Sequence, residues 1–485
     1  MDHITGVARE QLILFPEAIE DYVSADNPVR FLDAFVESLE TRGLGFKHAT
    51  VEETGRPPYD PKDLLKLYLY GYLNRIRSSR LLERETKRNL EVLWLLKRLS
   101  PDHKTISDFR RENASALRET FKQFVLTCKK LELFSAELVA IDSTKFKASN
   151  ARDRVKDAKQ LEKAIARIND SIVEYLLQLD KNDGADDQAS NSSALNKEQL
   201  QKKIASLQQQ KERLEDAGHQ LQETGQKYIS LTDPDCRLMN NERRIEPAYA
   251  LHAAVDAKHS LLVDYTLTQD AADNNYLSPV ASAAKQMLGA ESLTVCADAG
   301  YYDTVDLKAC DDQEIITYVP VPEPKISKRT QVPTPDYYHD RFVYDEATDT
   351  YRCPAGQRLH YYRTTDKTDG RRIRIYRTEA CVACPFRSAC TSSPRGRHIN
   401  RWEHEAVLER LKERLTEQPE MIKHRKAIIE HIFGTIKKIW GYATLLLRRL
   451  KNVGSEMALM SLAYNIKRVL TIVGTKQLIL KLQQA

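Results

Sequence analysis

Residues 136–150 read AELVAIDSTKFKASN, and the fold turns on how this stretch is taken. Leu138, Val139, Ala140 and Ile141 form an apolar run, and Asp142 closes it before the chain becomes polar and basic. An Asp after a short strand can be no more than a turn residue. It also stands where a metal-ion nuclease sets its first ligand. The same form returns at residues 293–303, LTVCADAGYYD, where Asp298 follows the apolar run. Strands of one open sheet bring their ends side by side, and ligands gather there. Asp142 and Asp298 are therefore expected to converge.

The elements between and after these strands give the fold class. Residues 248–269, AYALHAAVDAKHSLLVDYTLTQ, alternate as two strands about an AKHS turn. A helix follows at 274–288 (NNYLSPVASAAKQML), then the Asp298 strand, a further helix and the strand EIITYVP at 314–320. Strand, hairpin, helix, strand, helix, strand, helix is the order of a ribonuclease-H-like α/β domain. Two segments interrupt it. In 152–225, Leu161, Ile165, Ile168, Ile172, Tyr175 and Leu179 recur by four and three, as do Leu200, Ile204, Leu207, Leu214 and Leu221. That pattern predicts an antiparallel coiled-coil hairpin with a loose polar tip. Residues 322–402 are β-like and carry cysteines.

Residues 56–130 read as compact helices. Asp60 and Pro61 start one, Ser78 or Ser79 caps a second through Leu96, and Ser100-Pro101-Asp102 opens a basic third. Short capped helices with a basic last member fit a helix-turn-helix unit. The domain boundaries are 1–132 for an all-α N-terminal DNA-binding domain and 133–151 with 226–321 for the first parts of the core. The hairpin takes 152–225 and the cysteine insertion 322–402. A C-terminal helical part of the core, 403–485, completes the chain.

At 485 residues the chain exceeds one ordinary core. It is 41% hydrophobic and 29% charged, with no apolar run near the ~20 residues that span a membrane. Its N-terminus lacks a basic-then-apolar export signal, so an unexported, cytoplasmic protein is expected. The net charge is only +5, but residues 56–130 hold 18 Lys or Arg against 9 Asp or Glu, and 421–451 hold 8 against 1. Two basic blocks of this kind are solvated helix faces or the footprint of a polyanion, nucleic acid first.

The second block contains HRKAIIEHIFGTIKKIWGY, residues 424–442. As a helix it sets Lys426, Glu430 and Lys437 on one face, since offsets of four and seven nearly complete whole turns. Glu430 is then a surface ion-pair residue or a third acidic ligand flanked by phosphate-binding cations. Two Asp and one Glu are a sufficient set for hard divalent cations. Two such ions roughly 3.5–4 Å apart can activate a nucleophile and stabilise the leaving oxyanion in phosphodiester cleavage. Asp303 reads as a helix cap, Asp256 as a turn residue, and Asp264 and Asp270 as surface acids. His252, His424 and His431 are given no role.

Of eight cysteines, Cys353, Cys381, Cys384 and Cys390 cluster, in YRCPAGQRLH and EACVACPFRSAC. One two-residue gap between β-like flanks suits a four-thiolate structural Zn²⁺ site; free buried thiols are the alternative.

With these residues in view, the sequence resembles the DDE transposases of bacterial insertion sequences, in the retroviral-integrase superfamily. It is similar above all to the subgroup with an N-terminal helical domain and a cysteine-bearing insertion. The stretches that carry the likeness are RPPYDPKDLLKLYLYGYLNRIRSSRLLE (56–83), LSPDHKTISDFRREN (99–113), VAIDSTKFKASN (139–150), AYALHAAVDAKHSLLVDYTLTQDAADN (248–274), VCADAGYYD (295–303) and the run from Arg425 to Arg468. The resemblance implies Asp142, Asp298 and Glu430 as the catalytic and metal-holding acids, with two Mg²⁺ or Mn²⁺ ions. It implies double-stranded DNA as partner, both terminal inverted repeats and target, and a homodimer or higher oligomer at the nucleoid. Lys104, Arg110, Arg111, Arg425, Lys426 and Lys437 are the expected DNA contacts. Related Glu helices read Tyr, two residues, Arg, three, Glu, six, Lys; here Lys423 and Lys426 hold the first two places. A nuclease of the same fold without strand transfer, and a transposase-derived DNA-binding regulator, are the competing readings.

Overall fold

The computed structural model describes residues 18–50, 57–183, 191–322, 334–368 and 370–484, side chains excepted at 181–183 and 191–197. The expectations for the extreme N-terminus and for the tip of the 152–225 hairpin fall largely outside these residues. The chain is mixed α/β and forms two compact units. The first comprises Met1–Asp273, Pro279–Leu293 and Arg425–Ala485; the second comprises Asn274–Ser278 and Thr294–His424.

Among the described residues the first unit begins with six α-helices, four of them opened by a side-chain cap, whereas Ser78 precedes the third without capping it. Asn27 Oδ1 accepts from the Val29 N–H (2.9 Å) to open α1 (Pro28–Glu37), and Asp60 accepts from the Lys62 N–H (2.8 Å) to open α2 (Pro61–Leu73). Pro61 takes the first turn of α2, where its missing N–H costs nothing. The expected second helix is two, α3 (Ser79–Glu85) and α4 (Leu90–Leu95). Asn89 Oδ1 accepts from Glu91 and Val92 N–H (3.0 and 3.3 Å), which starts a new helix where continuation was expected. Then come α5 (His103–Glu112) and α6 (Ala114–Lys130). Asp102 caps α5 through the N–H groups of Lys104 (2.8 Å) and Thr105 (3.0 Å). Asp102→Ala should cost about 1 kcal/mol of stability, read as a shift of the urea midpoint at constant m.

β1 (Leu138–Lys147) does not end at Asp142 but runs five residues beyond it. Thr144 and Phe146 are buried there, so the two-residue alternation continues through the polar sequence. Two short strands, β2 (Val155–Lys156) and β3 (Ile229–Ser230), pair at the root of the helical hairpin α7 (Ala158–Asp183) and α8 (Asn191–Thr224). Leu161 packs with Leu214, Ala217 and Leu221, while Lys203 lies over the Tyr175 ring, so the two helices run antiparallel.

β4 (Arg237–Asn241) and β5 (Arg244–Asp256) form a tight hairpin that the sequence reading did not include. β5 pairs antiparallel with β1, setting Asp142 opposite Ala253. Its other edge is shared by β4, along Arg244–Ala248, and β6 (Leu262–Thr268), along Ala250–Val255. Asp256 is fully buried and accepts from the N–H groups of Ser135, Ala136 and Lys258. Asp264 is not a surface acid: it is 7% exposed and ion-paired with Arg118.

Next come α9 (Leu277–Leu288), β7 (Leu293–Cys296), α10 (Thr304–Asp311) and β8 (Ile315–Tyr318), with β7 and β8 neighbours in a sheet. The remainder of the second unit is a five-stranded antiparallel sheet ordered β13-β12-β11-β10-β9. Its strands are β9 (Val343–Asp345), β10 (Thr350–Arg352), β11 (Arg358–Asp366), β12 (Arg372–Arg377) and β13 (His398–Trp402). The four-residue α11 (Arg387–Cys390) precedes β13, and α12 (Glu405–Glu417) follows it. Phe342, Tyr351, Leu359, Tyr376 and Ile399 make the core of this sheet.

α13 (Met421–Phe433) continues as a π-helical turn, Gly434–Ile439. α14 (Leu450–Val473) is the central helix of the first unit, packed on α2, α5, α6 and β6, and α15 (Thr475–Gln484) ends the chain. Such a helix must be apolar on every side, and Met457, Ala458, Leu459, Met460, Leu462 and Ala463 are all buried. Asn465, also buried, spends its amide on the backbone of Leu262: Oδ1 accepts from the N–H (2.9 Å) and Nδ2 donates to the carbonyl (2.8 Å). This satisfies backbone groups of β6 that would otherwise be buried without partners. Among the described residues no helix is long and apolar enough to cross a membrane.

Candidate active site

Asp142 lies on β1 directly after the fully buried Ile141, with its side chain 19% exposed. Its Oδ1 accepts from the Ser143 N–H (2.7 Å), and its Oδ2 accepts from Arg425 Nη1 of α13 in a close ion pair. The position beside the carboxylate that a cation would take is filled by a guanidinium whose own side chain is 14% exposed.

A second polar group adjoins it. Lys145 Nζ donates to Ser143 Oγ (2.7 Å) and to Asp273 Oδ1 (3.0 Å), and His252 Nδ1 stands 3.9 Å from the same Asp273 oxygen. His252 faces Ser143 across the β1–β5 ladder. Burial pushes its pKa down to about 4, against the pull of Asp273. It is a neutral imidazole at physiological pH. Lys145 and Asp273 were absent from the sequence reading, and their only signal was proximity to Asp142 along the chain and an Asp after β6.

Glu430 is exposed on α13, while Ile428, Ile429 and Ile432 on the same helix are buried and anchor it. Beyond Glu430 the π turn redirects Lys437. Its Nζ lies 3.4 Å from Thr144 Oγ1 and from Asn241 Oδ1, and 3.2 Å from Glu242 Oε1. The helix that carries Glu430 is thus fastened to β1 on either side of it, at Asp142 through Arg425 and at Thr144 through Lys437. π turns inside helices recur at functional sites.

Asp298 belongs to the second unit. It follows β7 and caps a 3₁₀ turn, Ala299–Tyr301, with Oδ1 accepting from the Gly300 N–H (2.8 Å). Asp303 caps α10, as expected, through Val305 and Asp306 N–H. Asp142 and Glu430 are therefore in one unit and Asp298 in the other. Among the described residues no group of three or more His, Cys, Asp or Glu side chains stands where it could hold a metal ion. The donor type nonetheless suits a hard cation, since the set consists of partly accessible carboxylates.

The expected DNA contacts separate by burial. Lys104, Arg111 and Lys426 are exposed. Arg110 is 5% exposed: its Nη1 donates to Tyr72 Oη (3.2 Å) and the Arg77 carbonyl (3.3 Å), and its guanidinium lies over Tyr68. Arg110 is thus a packing residue and not part of a DNA face. Arg425 is engaged with Asp142, as described.

All four clustered cysteines are in the second unit as free thiols. Cys353 opens a tight turn in which Gln357 N–H donates to its sulfur (3.3 Å) and Gly356 N–H to its carbonyl (2.8 Å). Gly356 sits at φ +81°, a conformation side chains resist. Cys353 and Cys390 pack against the same apolar cluster, and Cys381 Cβ lies against Gly396. Burial pushes the Cys390 thiol pKa up, and the facing thiols of Cys381, Cys353 and Cys384 add to the rise.

Two family models match the chain. A transposase domain (DUF772) matches residues 17–112, covering α1 to α5, and a transposase DDE domain matches residues 352–470, from the cysteine turn through Glu430 to α14. Neither a curated protein nor a solved structure matches. A helical N-terminal transposase domain, a DDE domain spanning the Glu430 helix, and an Asp-bearing strand fastened to that helix lead to one conclusion: the chain belongs to the DDE-type transposases of insertion sequences.

Proposed function

We propose that the protein cleaves DNA at the ends of its insertion element and joins the freed 3′-hydroxyl to target DNA. Asp142, Asp298 and Glu430 are the acids of the reaction, in a ribonuclease-H-like core. The observation that carries this is the fastening of the Glu430 helix to the Asp142 strand by Arg425 and Lys437. The observed element order, β1, then the β5–β6 hairpin, α9, β7, α10 and β8, supports the core assignment.

The three carboxylates would hold Mg²⁺ or Mn²⁺, which supplies activation of the attacking oxygen and stabilisation of the leaving one. The chain's own groups have separate duties. Lys437, with its ammonium at the edge of β1, holds a phosphate of the strand being cut. Lys426, Lys104 and Arg111 contribute exposed cations to the backbone of the bound duplex. Two protein copies act together, because two element ends are joined in one event.

Incubating the protein and divalent metal with labelled element-end duplex and an unlabelled plasmid tests the reading. Label covalently joined to plasmid is the expected product. Cleaved ends without joining would mean a nuclease of this fold, and stable binding without cleavage would mean a regulator.

Cys353, Cys381, Cys384 and Cys390 do not stand as a metal-holding group in this structure, and they are proposed to draw together around one structural Zn²⁺ that staples the β9–β13 unit. The Gln357 N–H aimed at the Cys353 sulfur is the kind of donor that stabilises a bound thiolate. Purified protein should contain about one zinc per chain, and chelation should expose four thiols to titration. Zinc-free protein with four freely reacting thiols would remove the proposal.

A further inference from the structure

We infer that the turn between β4 and β5 grips the phosphate backbone of duplex DNA on its way to the Asp142 strand. This rests on the DNA-transposition reading and adds a contact surface to it. Asn241 pairs with Arg244 in the ladder, so Glu242 and Arg243 alone make the turn. Both lie in the left-handed region, at φ 48° and 70°. A two-residue turn of this kind favours Asn-Gly, because each side chain there costs about 1 kcal/mol. A charged pair kept in so strained a place directs attention to what the charges meet.

Glu242 reaches Lys437 (3.2 Å), and Arg243 faces other cations. A groove of about 460 Å³ is lined by Lys147, Arg152, Arg243 and Arg244, with Glu246 the one acid among its lining residues. Lys147 is 3.5 Å from Glu246, whereas Arg152, Arg243 and Arg244 have no ion-pair partner among the described residues. A second groove of about 420 Å³ shares Lys147, Arg244 and Glu246 and reaches Thr444 and the Lys437–Glu242 ion pair. Lys437 in turn reaches Thr144, two residues along β1 from Asp142. Arg152, Arg243 and Arg244 are therefore cations in excess at the β4–β5 turn, and the paired Lys147 and Lys437 continue the line of positive side chains to the catalytic strand. A polyanion with regularly spaced charges fits such a track. Duplex DNA is the one the proposed reaction brings to it. Asn241, the carboxamide lining the second groove, donates to Glu246 Oε1 (2.7 Å) and accepts from Lys437 Nζ (3.4 Å), so its amide is spent within the protein and the track holds DNA through phosphates.

The test compares the full chain with Arg243→Gly, Arg243→Lys, and Arg243→Gly/Arg244→Gln, measuring thermal midpoint and duplex binding across a salt series. Glycine relieves the strained φ, so Arg243→Gly should melt no lower than the parent. Its affinity should nevertheless fall about threefold, on element-end and unrelated duplex alike. The slope of log K against log salt should drop by about 0.9 for the single variant and about twice that for the double. Arg243→Lys should retain parental binding. If the parent binds duplex DNA and the double variant binds with the same affinity and slope, the hairpin assignment falls and the transposition reading stands. If the parent binds no duplex DNA at all, both fall.

Discussion

Glu430→Gln should lower strand cleavage by about 1,000-fold or more, a loss near 4 kcal/mol of transition-state stabilisation, while end-DNA binding stays within about threefold of the parent. Glu430 is exposed and anchored by its helix neighbours Ile428, Ile429 and Ile432, so the amide replaces the carboxylate without touching the core. Asp298→Asn should do the same. Asn serves as a cap nearly as well as Asp, so the Gly300 N–H keeps its acceptor and the turn after β7 survives. Asp142→Asn should be as inactive but less stable, because Arg425 loses its ionised partner in a place only 14% open to solvent. Denaturant titration separates that loss from the chemical one. Full cleavage by any of the three variants would discard the site assignment.

Glu456→Ala should destabilise the first unit by about 3–5 kcal/mol, the cost of leaving a buried cation unpaired. Glu456 is fully buried on α14. It accepts from Arg77 Nη1 (2.9 Å) and from the N–H groups of Leu446 (2.9 Å) and Leu447 (3.1 Å). Arg77 also donates to the Thr444 carbonyl (2.9 Å) and lies over the Tyr442 ring. Truncation would leave the Arg77 guanidinium without its carboxylate and the Leu446 and Leu447 N–H groups without their acceptor, at a glutamate position that is fully buried. The loop they hold, Ala443–Leu445, exchanges backbone hydrogen bonds with Lys147 at the end of β1. A consequence beyond stability is expected: cleavage should weaken before global unfolding, as the strand bearing Asp142 loses its restraint. Equilibrium urea unfolding measures the first effect. A loss below about 1 kcal/mol would mean that Arg77 finds another partner.

Short-range chemistry was legible without coordinates. Asp60, Pro61 and Asp102 announce helix starts because a cap needs only its own next three residues. The apolar period of 161–179 announces α7 for a similar reason, and the β5–β6 hairpin follows from two alternating runs around a short turn. Glu430 could be placed on a helix from the isoleucines that flank it.

What the sequence alone determined, then, are features whose cause lies within about one turn of helix or one hairpin and carries a familiar signal; the β4–β5 hairpin, turned by Glu242-Arg243, and the Asn89 start of α4 are local but lack one. The tertiary structure decided the rest. Asp142 is inside a strand because β5 supplies partners as far as Lys147, and no local pattern in DSTKFK states that. Arg110 is buried and Lys104 exposed because α2 happens to lie on one side of α5, although both residues look equally available on paper. Arg425 was one cation among several in a basic helix until the fold set it on a carboxylate 283 residues away. Hydrogen bonds and ion pairs between distant segments depend on chain closure over long loops, and that closure is a property of the whole packed chain and not of any stretch within it.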